Sequence, residues 1–170
     1  YLNVYGNDTV ANERNVNVYT KEDVLAQKWI VRLAGDGARV YTAINEAYAL
    51  NINTSSNNCS MYAAASNSLA DSVVDFLTVD ASQNLYRIKI MAHNKYLTVN
   101  SSDNAYFGTD AESFYSLWQL EDVNAAAPEP TPDPVPSEIV NQTFFVKCYN
   151  TDYNLNVYGN DTVANNTNVT

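Results

Sequence analysis

Residues 2–17 read LNVYGNDTVANERNVN, and residues 155–170 read LNVYGNDTVANNTNVT. Thirteen of the 16 positions agree, at a constant offset of 153 residues. Self-similarity of this kind is the mark of a tandem array, so the chain reads as one unit followed by the opening of the next. Between the copies lies Ala125–Pro136, AAAPEPTPDPVP, which holds all five prolines of the chain. Proline at alternate positions fixes φ and removes backbone donors, which predicts an extended, semi-rigid spacer of about 3 Å per residue. The expected organisation is a domain over 1–123, a linker over 124–140, and the first strands of another copy over 141–170. On that frame the next copy opens near Thr143, in TFFVKCYNTDYNLNV, and the matching strand of the first copy would precede Tyr1.

A shorter period runs inside the unit. An apolar-X-apolar triplet recurs as Leu2-Asn3-Val4, Leu50-Asn51-Ile52 and Leu97-Thr98-Val99, then as Leu155-Asn156-Val157. The spacings are 48, 47 and 58, the last enlarged by the linker. Alternating stretches ending in Asn stand upstream of the last three: RVYTAIN (39–45), YRIKIMAHN (86–94) and FFVKCYN (144–150). Downstream of the first three come a polar turn, an aromatic (Tyr19, Tyr62, Phe107) and a closing aromatic (Trp29, Phe76, Trp118). Short alternating segments split by Asn/Ser/Asp turns predict an all-β fold. Threefold repetition predicts a closed, pseudo-symmetric barrel with Trp29, Phe76 and Trp118 in a shared core. Helical turns are expected only within Thr20–Gln27 and Ser66–Val74.

Composition narrows the function. Nineteen acidic residues against nine basic ones give a net charge of −10, and no basic face is on offer to neutralise nucleic-acid phosphates. No apolar run approaches the roughly 20 residues of a membrane span, so no membrane insertion is expected. His93 is the only histidine. No Ser or Cys stands near a base motif, no Gly-rich loop suits phosphate, and no Cys/His spacing suits a metal. The reading is therefore of a non-enzyme without cofactor or metal. Glu22, Asp23, Asp36, Asp71 and Asp80 are read as a solvated acidic face. Cys59 and Cys148 are too few for a disulfide framework and are read either as a pair or as two buried thiols. Asn-X-Ser/Thr sequons, Asn7, Asn53, Asn58 and Asn100 among them, matter only in a glycosylating pathway.

The grammar of these repeats, with Gln27-Lys28-Trp29 closing the first, Val74-Asp75-Phe76 the second and Ser116-Leu117-Trp118 the third, resembles the ricin B-chain type β-trefoil lectins. The hallmark of that family is a Gln-X-Trp motif at the end of each of three repeats. The resemblance implies a β-trefoil and a secreted or cell-surface, non-catalytic carbohydrate-binding module. It also implies one shallow sugar site per repeat: an Asp central to the triplet, whose place is taken here by Asn3, Asn51 and Thr98, an aromatic platform after the turn, and an Asn just before or beside the closing Gln, where Ala26 stands before Gln27. Carried over by position, these are Asn3, Tyr19 and Gln27 in the first repeat, Asn51 and Tyr62 in the second, and Thr98 and Phe107 in the third. Tyr19 reads equally as a half-buried strand residue, and Gln27 as a brace for the turn around Trp29. The expected partners are glycans or polysaccharide. A second reading is a structural subunit of an extracellular filament or surface layer. In it Phe144, Phe145, Val146, Lys147, Cys148 and Tyr149 act as a donor strand that completes a neighbouring copy by strand addition.

Overall fold

The computed structural model describes residues 1–6 and 9–124 and the backbone of residues 143–148. Among these the regular structure is all strand apart from three single 3-10 turns, Leu25–Gln27, Ala81–Gln83 and Phe114–Ser116. The 66–74 stretch is a series of turns rather than a helix. The expected linker and the further copy over 149–170, Tyr149 included, lie outside the described residues.

Twelve strands form three lobes. In chain order β1 is Leu2–Val4, β2 Arg14–Val18, β3 Lys28–Ala34, β4 Gly37–Thr42, β5 Tyr48–Ile52 and β6 Cys59–Ala63. They are followed by β7 Val74–Asp80, β8 Leu85–Ile90, β9 Lys95–Val99, β10 Ala105–Gly108, β11 Trp118–Asp122 and β12 Thr143–Cys148. Six of them close a barrel. β3 pairs β4, β4 pairs β7, β7 pairs β8, β8 pairs β11, β11 pairs β12 and β12 returns to β3, all antiparallel. The hairpins β1–β2, β5–β6 and β9–β10 are the remaining six strands, and they meet one another edge to edge through Asn15↔Ser60, Asn17↔Asn104 and Asn58↔Tyr106. A six-stranded barrel with three hairpins in pseudo-threefold order is a β-trefoil.

The registers make the symmetry quantitative. Trp29, Val74 and Trp118 each pair with the second residue of their own lobe's opening strand, namely Phe144, Ala38 and Tyr86. Each also pairs with the sixth residue of the next opening strand, namely Thr42, Ile90 and Cys148. β12 therefore stands in the first lobe as β4 and β8 stand in the other two. These pairings correct one expectation: the counterpart of the two tryptophans is Val74, not Phe76. Phe76 lies two residues further along β7, half-buried against the core and edge-on to Tyr86 with ring centroids 6.0 Å apart.

The triplets supply the inward face of each hairpin. Leu2, Leu50 and Leu97 oppose Val18, Met61 and Phe107, and all six are buried. Strand alternation sends every second residue to the other face, which is why Asn3, Asn51 and Thr98 at the triplet centres point away from this core. Trp29 and Trp118 are fully buried and tie the barrel to the hairpins: their indole N–H groups donate to the Leu2 and Leu97 carbonyls at 3.0 and 2.8 Å. Tight turns join the lobes. At the one between β3 and β4, a Cβ on Gly37 would lie 2.6 Å from the Val74 carbonyl oxygen, so only glycine allows that approach.

Candidate functional site

The outward face of β1–β2 carries the most complete set of polar and aromatic groups. Asn3 and Asn17 are register partners, and the Asn3 amide donates to the Asn17 carbonyl oxygen at 3.0 Å. Asn3 is 3% exposed, and its own carbonyl oxygen is buried without a hydrogen-bond partner. Two residues along on the same face, Tyr1 and Tyr19 stand opposite each other through backbone hydrogen bonds. Tyr19 presents its ring to solvent, 51% exposed. The Tyr1 hydroxyl instead donates to both carboxylate oxygens of Glu121, 3.0 Å each, and Lys21 bridges to the same carboxylate at 2.9 Å. Burial, then the Glu121 charge, then that hydrogen bond raise the ionisation of Tyr1 above the ordinary phenol range.

Gln27 does not belong to this face. It is fully buried; its amide donates to the Thr20 carbonyl at 2.7 Å and its carbonyl accepts from the Glu22 N–H at 2.7 Å. Both hydrogen-bonding ends are consumed in holding the 20–22 turn, so no sugar reaches it. The other lobes carry Ser72 and Ser116 at the equivalent place, also fully buried. There an arginine on the opening strand does the bracing. Arg39 donates to the Ser72 hydroxyl at 2.8 Å and to the Ala64 and Asn67 carbonyls at 3.0 and 3.2 Å. Arg87 donates to the Ser116 hydroxyl at 2.6 Å and the Ser113 carbonyl at 2.9 Å. Both arginines are the third residue of their strands, where β12 has Phe145. Sequence reading missed them; the signal was an arginine in each of the two repeats whose Gln is absent.

The second and third lobes are less open. Asn51 is buried, donates to the Ile52 carbonyl and accepts from the Asn67 amide at 2.8 Å. Tyr62 is half-buried opposite Ala49. Thr98 is buried opposite a half-buried Tyr106. Phe107 is 1% exposed and faces the core against Leu97, so it cannot serve as a stacking platform. The register places Tyr19, Tyr62 and Gly108 at equivalent positions, and a shift of one residue in a strand moves a side chain to the opposite face.

A further feature unites the hairpins. Asn15, Asn58 and Asn104 form a closed ring in which each amide donates to the next: Asn15 to Asn104, Asn104 to Asn58 and Asn58 to Asn15, each at 2.8 Å. Asn58 sits within a sequon, but its amide is committed here. Cys59, the residue after it, is a buried free thiol whose ionisation burial pushes up.

The fold defines the class of protein: a β-trefoil. Among solved structures it is similar to a designed threefold-symmetric protein, ThreeFoil, with 17% sequence identity, a TM-score of 0.61, and coverage of 72% of this chain and 90% of that one. No protein-family model and no curated protein matches the chain.

Proposed function

We propose that this protein is a non-catalytic, extracellular carbohydrate-binding module of the ricin-type lectin kind, used in a tandem array, with its working site on the β1–β2 hairpin of the first lobe. The β-trefoil is a fold that carbohydrate-binding lectins share. The observation that carries the reading is the Tyr19 ring, 51% exposed on the outward face of the hairpin, with the half-buried Asn17 amide on the same face. A tyrosine face packs against the C–H surface of a pyranose. One such site is weak, and repetition along a string of copies raises avidity without new contacts.

The test is titration of the 170-residue chain against a panel of soluble polysaccharides and oligosaccharides. Tyr19→Ala is expected to weaken binding by about tenfold, the equivalent of roughly 1.4 kcal/mol of lost ring contact. Tyr62→Ala should leave affinity for the first-lobe ligand unchanged. Absence of any glycan bound at millimolar concentration removes the reading.

A further inference from the structure

The closing stave of the barrel comes from far along the chain. Between β3 and β4 stand only Gly35 and Asp36, and between β7 and β8 only residues 81–84, whereas residues 123–142 separate β11 from β12. Five alternating prolines fall in that stretch. Proline-rich chain extends by about 3 Å per residue, yet the strands it joins lie side by side, about 4.8 Å apart.

The slot itself is specific. Glu121↔Phe145 and Gln119↔Lys147 on one side, and Trp29↔Phe144 on the other, repeat the register that β4 and β8 take in their own lobes. The donor is followed, from Leu155, by a near copy of residues 2–17. It is thus the opening strand of one copy seated in the barrel of another stretch of chain.

We propose that the slot between β3 and β11 is a strand-accepting site whose partner is the Thr143–Cys148 strand of a second copy of this chain. Exchange replaces each backbone ladder with an identical one, so the contacts within the barrel are unchanged and the balance is set by tether against concentration. A tight turn would hold β12 at high effective concentration beside its own barrel; a long connection lowers that concentration and admits a neighbour. Donation from each chain to the next is a heterologous contact, which propagates as an open filament or closes as a ring.

The experiment uses two full-length chains, both carrying Cys148→Ser, one with Gln119→Cys and the other with Lys147→Cys. These register partners meet only when β12 of one chain sits beside β11 of the other. Co-refolding at high concentration followed by oxidation is expected to give a disulfide-linked band at twice the 18.8 kDa of one chain. Replacing residues 123–142 by Gly-Asp in both chains should abolish that band; its persistence would show association by another route and overturn the proposal. So would a mixture that yields no mixed dimer while a chain bearing both cysteines crosslinks wholly within itself. Light scattering on the unsubstituted chain gives an independent arm: mass rising with refolding concentration supports exchange, and a single-chain mass throughout counts against it.

Discussion

At the scale of single residues, the asparagines divide by what their amides face. Asn15, Asn58 and Asn104 satisfy one another around the pseudo-threefold axis. Asn58→Ala would leave the Asn104 amide and the Asn15 carbonyl each without a ring partner. It is expected to cost about 1–3 kcal/mol by urea denaturation. The variant with all three changed to Ala should lose less than the sum of the single losses, because later substitutions remove groups already unpaired. Tyr1 gives a pH-dependent case. Its folded ionisation lies above the ordinary value near 10, so the stability it contributes is complete below about pH 10 and lost as pH rises beyond it. Tyr1→Phe cannot ionise and also lacks the bond to Glu121. Its stability deficit against the parent chain, followed by urea midpoints, is expected to narrow as pH is raised above about 10.

At the scale of elements, each closing strand needs its preceding turn held down, and the chain has two solutions. The first lobe uses Gln27; the second and third use a Ser with an arginine from the opening strand. Arg39 is 8% exposed and spans three acceptors. Arg39→Ala is expected to destabilise by about 2–3 kcal/mol in equilibrium unfolding. The effect should exceed that of Arg87→Ala, because Arg87 is more open to water. This division explains where sequence reading slipped. The aromatic of its repeat is Phe76, which the sequence pattern alone matches to the tryptophans, but its strand begins at Val74, and Ser72-Val73-Val74 is the true counterpart of Gln27-Lys28-Trp29. Phe107 matches Tyr19 only in being a ring, while the register aligns it with Val18. In both cases a residue type was legible and its strand face was not.

At the scale of the molecule, the barrel exists only when β12 is in place. Without it, β3 and β11 become open edges, and exposed edges seek other strands. Val146 sits in the middle of β12 opposite Leu120. Val146→Pro places a ring in a strand held by β11 at this position and by β3 as far as Phe145, and is expected to cost about 3 kcal/mol or more. The measurement is thermal unfolding. A single lowered transition is the anticipated result, since all three lobes share one buried core; two separate transitions would mean that the lobes fold independently.

Repetition, alternation and polar turns were enough to read three β-rich lobes around a common core from the sequence, because burial of one strand face imposes a period of two on the side chains. The same pattern could not say which of two adjacent residues faces inward, which group braces a turn, or which strand fills the last place in the barrel. Those outcomes depend on pairings between segments far apart in the chain, such as Trp29 with Phe144 and Arg39 with Ser72. They are decided only when the closed barrel sets the register.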